Sequence, residues 1–239
     1  MILLRSAAFN AFFFISTFAL SVASVPVRLF VPGRVLAYAM FWARLELAAL
    51  RAICGIDWQV TGDLPTGAAL IASHHESAFD TLVWLTLLPR PAYVMKRELQ
   101  RIPLFGALTR LGGMIAVDRS GGARAMRSLV RDAAAAVAAR RQIVIFPEGT
   151  RAEPGTLLPL QPGVAALAAS TGLPIIPVAT NSGRCWSRRS FRKRPGTISV
   201  VLLPAIPAGT RRQELLPRLE TALRNGIIRI ADTVDNSVG

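Results

Sequence analysis

Histidine, lysine and cysteine are scarce in this chain, with two of each in 239 residues. The two cysteines, Cys54 and Cys185, form no Cys-x-x-Cys pair and no cluster of metal ligands, which leaves nothing for a zinc module to use. Reduced structural thiols are the simpler reading, and one disulfide between them is the alternative. Acidic residues are also few: 14 against 28 basic ones, giving a net charge of +14 and a pI near 11.6. That sign favours anionic partners, whether nucleic acid, an anionic lipid surface or a phosphorylated substrate. No internal repeat and no low-complexity linker is present.

Charge is missing altogether from residues 7–27. At a rise of about 1.5 Å per residue this run reaches about 31 Å, the thickness of a bilayer's hydrocarbon core. A signal peptide with a cleavage site at Ser21-Val22-Ala23 is the competing reading, but the run exceeds the usual apolar region of about 7–15 residues. A second apolar segment, 35–50, carries Arg44 and Glu46 and reads as an interfacial helix, with Tyr38 and Trp42 near headgroup depth. Arg28, Arg34, Arg44 and Arg51 follow the first segment, whereas Arg5 alone precedes it. If that segment spans, the bias places the rest of the chain in the cytoplasm.

Beyond about residue 55 short β-rich runs (68–72, 92–96, 114–117, 142–146, 175–178 and 197–203) alternate with helical stretches. Alternation of this kind predicts an α/β domain around a central sheet. The expected division is an N-terminal membrane-associated element over 1–54 and an α/β domain over 55–239. Helices are expected over 123–141, 157–172 and 213–234. Arg124, Arg127 and Arg131 share one face of the first of these, which reads as a solvated stripe. The loop 181–195 is dense in arginine, with Trp186 and Phe191 among the charges. Headgroup contact, nucleotide contact and simple exposure all fit it.

Both histidines, His74 and His75, are adjacent, and Asp80 stands five positions after the second. Imidazole suits proton transfer near neutrality, and a carboxylate on one ring nitrogen fixes the tautomer and stabilises the charged ring. On one continuous helix the two side chains would diverge by roughly 140°. A strand-to-helix junction suits them better, and Ser77-Ala78-Phe79-Asp80 has the form of a capping box that would open such a helix. The plainer alternative is that Asp80 only caps the helix. Lys96, Arg119 and Arg151 each fall just beyond a predicted strand end, where ligand sites gather in α/β sheets. Cations converging beside a general base suit a phosphorylated alcohol, because fixing the phosphate fixes the hydroxyl. Taken singly, Arg119 could pair with Asp118, Arg151 with Glu148 or Glu153, and Gly149 could serve a tight turn.

In this order along one chain, the clusters resemble the glycerolipid acyltransferases typified by 1-acyl-sn-glycerol-3-phosphate (lysophosphatidic acid) acyltransferase. The family's N-H-x-x-x-x-D matches His75 and Asp80, with His74 where asparagine is frequent and Glu76 where glutamine is common. Its G-x-I/F-F-I-D-R matches residues 113–119, with Ala116 in an aromatic's place. Its F-P-E-G-T-R is intact at 146–151, and Ile176-Pro177-Val178 matches the apolar-Pro-apolar strand. The resemblance implies a central mixed sheet flanked by helices, with a two-helix N-terminal element docked on a membrane. It implies that His75 takes the proton from the sn-2 hydroxyl of a lysophospholipid acceptor and that Asp80 orients the ring. Arg119, Glu148, Gly149, Thr150 and Arg151 would form the acceptor site, and the position of Lys96 adds it as a candidate. The donor would be acyl-CoA or acyl-carrier protein, with no cofactor and no metal. The expected location is the bacterial inner membrane, with the site facing the cytoplasm. With His74 in place of asparagine, activity is expected to fall at mildly acid pH.

Three alternatives remain at this point. The same fold could act on another lysolipid or on glycerol 3-phosphate. An inactive membrane scaffold would share the motifs. A nucleic-acid-binding protein would explain the charge, but it leaves the apolar N-terminus unexplained and no binding motif supports it.

Overall fold

In a computed structural model that describes residues 1–118 and 122–235, the uncharged run forms the middle of a longer helix. This is α1 (Ile2–Phe30), and the second apolar segment is α2 (Val35–Cys54). A 3₁₀ turn, Pro32–Arg34, joins them into a hairpin, and α2 stops at Gly55, whose φ of 66° is the left-handed cap that glycine adopts without strain. Polar rungs cross between the two helices. Trp42 Nε1 donates to Thr17 Oγ1 at 3.1 Å, the Tyr38 hydroxyl to the Leu20 carbonyl at 2.8 Å, and the Ser16 hydroxyl to Glu46 Oε1 at 2.5 Å. Such partners offset the cost of burying polar groups between apolar helices. Away from those rungs Phe14, Ile15, Phe18, Leu29 and Phe30 are exposed, and α1 is long and apolar enough to cross a membrane.

The rest of the chain builds a mixed sheet of seven strands. These are β1 (Ile56–Thr61), β2 (Ala69–Ser73), β3 (Pro91–Lys96), β4 (Ile115–Val117), β5 (Gln142–Ile145), β6 (Ile175–Thr180) and β7 (Gly196–Leu202), in spatial order β1-β7-β6-β2-β5-β3-β4. All pairs are parallel except β6 with β7. The carboxyl ends of β2, β3, β5 and β6 therefore lie along one edge, beside the start of β7. Helices α3 (Phe79–Leu87), α4 (Phe105–Leu111), α5 (Gly122–Ala138), α6 (Gly163–Thr171), α7 (Ser182–Cys185) and α8 (Arg212–Asp235) complete the fold.

Because side chains alternate along a strand, neighbouring residues feed separate cores. Ile71, Val144 and Val178 pack with residues of α2 and α3, while Leu70, Ile143 and Ile145 pack with α5, α6 and α8. The first core runs without a break into the hairpin, where Phe9, Leu47 and Leu50 join Phe79 and Trp84. Trp186 lies edge-on to Phe9 and Phe13, with ring centroids 5.4 and 5.8 Å apart. Lys193 tightens this seam. Its ammonium sits 5.1 Å over the Trp186 ring and donates to Asn10 Oδ1 at 2.5 Å, and its backbone N–H donates to Ser6 Oγ at 2.9 Å. Trp186 is thus a docking residue for α1. Cys54 and Cys185 are buried and free.

Two departures from the expected elements have local causes. Residues 157–162 are not helical, since Pro159 and Pro162 interrupt them, and α6 starts only after Pro162. Strand β1 was not expected; Asp57 and Gln59 break its apolar character, and it forms because β7 offers a parallel partner over its whole length.

Candidate active site

Sheet pairing does not end with β2. The His74 N–H donates to the Val178 carbonyl at 2.8 Å, so the backbone enters the following loop in a fixed register. The His75 carbonyl then accepts from the Ala152 N–H at 2.7 Å, tying this loop to the segment after β5. Within that frame His75 Nδ1 meets Asp80 Oδ2 at 3.0 Å. The same oxygen accepts from the Glu76 and Ser77 N–H groups, each at 2.8 Å. The expected capping box is therefore half formed: Asp80 bonds back to the Ser77 N–H, while Ser77 Oγ accepts from Phe79 N–H at 3.1 Å.

Three donors on one carboxylate oxygen lock the orientation of Asp80. Asp80 accepts, so Nδ1 of His75 carries the proton and Nε2 keeps its lone pair. Nε2 has no partner among the described residues, and the His75 side chain retains 10% exposure. The Phe146 ring stacks on the imidazole with centroids 4.0 Å apart and planes 20° from parallel. A base held by a carboxylate on one side and an aromatic plate on its face is poised to take a proton at its open nitrogen.

His74 has a different task. Its ring is fully buried between two carboxylates, with Nδ1 2.6 Å from Glu148 Oε1 and Nε2 3.1 Å from Glu76 Oε1. Burial alone disfavours a charged ring, but hydrogen bonds to Glu148 and Glu76, together with their charges, outweigh it and raise the pKa to about 9. Glu76 extends the clamp, since its Oε1 accepts from the Gly155 N–H at 2.7 Å and its Oε2 from the Gly183 N–H at 2.8 Å. One imidazolium thus holds together the loop after β2, the turn after β5 and the start of α7.

Protonation of His74 is therefore not a cause of lower activity at mildly acid pH. His74 is already charged at mildly acid pH, and its contribution is lost on the alkaline side. With a folded pKa of about 9 against an unfolded value near 6.5, the stabilisation is complete below pH 6.5 and gone above pH 9. The thermal midpoint is therefore expected to fall between those values, by an amount equivalent to about 3 kcal/mol. Melts at half-unit pH steps check this, and a flat profile across that window would contradict an ionised clamp.

The candidate cations are less uniformly placed. Lys96 ends β3 and is exposed. Arg151 is partly buried; burial lowers its pKa, with the charge of Asp80 opposing and that of Arg188 adding. It is near enough to Asp80 to feel the dyad, and among the described residues it forms no ion pair with Glu148 or Glu153. Arg188 Nη1 donates to the Arg151 carbonyl at 3.0 Å. Gly149 has φ 72° and closes the turn through an N–H bond to the Phe146 carbonyl at 3.0 Å, and Thr150 is exposed beside it. Glu148 is sealed from solvent against His74. Arg119 lies outside the described residues; Asp118, just before it, stands 3.8 Å from Arg97 Nη1.

Comparison with known proteins identifies the family. The Acyltransferase family matches residues 57–181, which hold the dyad, the clamp and Arg151. The chain belongs to that family. It is 35% identical over 169 residues to the 1-acyl-sn-glycerol-3-phosphate acyltransferase of Pseudomonas aeruginosa, covering 70% of this chain and 66% of that protein. It is 37% identical over 134 residues to the enzyme of the same name from Cocos nucifera, covering 55% and 44%. The chain thus spans just under two thirds of the first relative and less than half of the second. In fold it is similar to the crystal structure of the 1-acyl-sn-glycerophosphate acyltransferase PlsC from Thermotoga maritima, with a TM-score of 0.77 at 19% identity, over 97% of this chain and 98% of the other.

Proposed function

We propose that this protein transfers an acyl chain from acyl-CoA or acyl-carrier protein to the sn-2 hydroxyl of 1-acyl-sn-glycerol 3-phosphate, forming phosphatidate. The observation that carries the reading is the dyad, with His75 Nδ1 on Asp80 at 3.0 Å and Nε2 open. Nε2 takes the hydroxyl proton as the oxygen attacks the thioester carbonyl. The tetrahedral intermediate then collapses, the carbon–sulfur bond breaks, and the leaving thiolate regains the proton from the imidazolium. Asp80 stabilises the charged ring throughout. The acceptor supplies the nucleophile, so no acyl-enzyme forms.

Relatives named for 1-acyl-sn-glycerol 3-phosphate support the choice of acceptor. In this reading Arg151, Lys96 and Arg119 bind its phosphate, Gly149 and Thr150 shape the turn that receives it, and Glu148 acts through His74. The hairpin α1–α2 inserts its exposed aromatic and aliphatic face into the bilayer, which is the cytoplasmic membrane of a bacterium, and the basic surface meets anionic lipid on the cytoplasmic side.

The test is transfer of a radiolabelled acyl group from acyl-CoA to lysophosphatidate in detergent micelles, read as phosphatidate. Labelled phosphatidate is the expected product. Acylation of a different lysolipid in preference to lysophosphatidate would sink the proposed acceptor, and silence with acyl-CoA and acyl-carrier protein alike would sink the activity.

A further inference from the structure

A second group of cations lies on α7 and the loop that follows it. Arg184, Arg192 and Arg194 line a cleft of about 690 Å³ walled by Pro154, α7 and the start of β7. All three are exposed, and among the described residues none of their guanidinium groups has an ion-pair or hydrogen-bond partner. Glu153 is the one carboxylate in the lining. Three guanidinium groups around one cavity repel one another unless an anion joins them, and the guanidinium fork fits phosphate oxygens in pairs.

The cleft is also built to stay in place. The Arg194 N–H donates to the Cys185 carbonyl at 2.8 Å, Asn181 Oδ1 accepts from the Ser199 N–H at 2.8 Å, and Lys193 pins the loop to α1. It lies at the sheet edge that carries the dyad, and one buried side chain links the two. Glu76, next to His75 in sequence, bonds the N–H groups of Gly155 and Gly183, which stand beside and within the cleft wall.

Both substrates of the proposed reaction carry phosphate. In the proposed reading Arg151 and Lys96 serve the acceptor, which leaves the donor's phosphates to other cations. We propose that the cleft lined by Arg184, Arg192 and Arg194 binds the nucleotide phosphates of a coenzyme A thioester, with its thioester end directed toward His75. The volume falls in the range of small-molecule sites, about 300–1,000 Å³. This inference rests on the acyl-transfer reading and specifies its donor.

Calorimetric titration of the full chain in nonionic detergent tests it, with free coenzyme A, dephospho-coenzyme A and pantetheine as probes. Wild type is expected to bind coenzyme A best, dephospho-coenzyme A more weakly and pantetheine least. The Arg184→Ala/Arg192→Ala/Arg194→Ala variant is expected to lose affinity for coenzyme A by at least about tenfold, and its KM for acyl-CoA should rise in parallel while that for lysophosphatidate stays. The three side chains are exposed, so a thermal melt matching wild type separates this loss from misfolding. Equal affinity of the two proteins for coenzyme A overturns the proposal. So does a selective rise in KM for lysophosphatidate, or weakened binding to phosphatidylglycerol vesicles with coenzyme A binding intact; these assign the cleft to the acceptor or to headgroups. Free coenzyme A is not turned over. Arginine-dependent binding without transfer to lysophosphatidate would therefore keep the cleft and remove only the proposed acceptor.

Discussion

Replacing His75 with alanine is expected to lower kcat for acyl transfer by about 10²- to 10⁴-fold, the usual worth of a positioned general base. The protein should remain folded. The substitution removes one hydrogen bond and one stacked ring, while Asp80 keeps its bonds from the Glu76 and Ser77 N–H groups. A stability cost of about 1–2 kcal/mol follows, a few degrees in a chain of this size and too little to explain the rate. KM for the acceptor is expected to change little, because the phosphate contacts assigned to Arg151 and Lys96 are untouched. Steady-state kinetics beside a melting curve decide the matter. A His75→Ala protein that retains a tenth or more of wild-type kcat would place the base elsewhere.

The adjacent substitution should fail in the opposite way. His74→Ala removes the cation between Glu76 and Glu148 and leaves two buried carboxylates facing a void. Breaking a buried pair by deleting one partner costs about 3–5 kcal/mol, so the thermal midpoint is expected to fall by roughly 10 °C or more. His74→Asn should fall less, since its amide can still donate to one carboxylate. Adding Glu148→Gln to His74→Ala should recover part of the loss by removing one uncompensated charge, a non-additivity that a double-mutant cycle reads directly. If His74→Ala melts like wild type, the ring does not clamp these loops.

The two histidines illustrate what the sequence could and could not convey. His75 and Asp80 are five positions apart, and a strand-to-helix junction is the local geometry that closes such a spacing; the dyad was legible for that reason. Glu148 is 74 positions from His74, so nothing near His74 in sequence marks their contact. Glu76, two positions away, was the available hint that His74 is held charged. The fold divides along the same line. Buried runs such as β2 and β5 declare themselves by composition, whereas β1 carries Asp57 and Gln59 and depends on β7, a partner 140 positions later. The reversal between β6 and β7 is equally silent, because strand direction is set by the route of the chain and not by local preference.

The seam between the hairpin and the sheet sets an order of events during synthesis. Ser6 waits for the backbone of Lys193, 187 positions later, and Phe9 waits for Trp186. Residues 1–54 leave the ribosome long before either partner exists, and an apolar helix pair emerging alone finds lipid first. If the hairpin enters the bilayer as proposed, lipid is its earliest folding partner. On that reading the last third of the chain meets a hairpin already settled in the membrane, and the protein would complete its core at the membrane surface and not before reaching it.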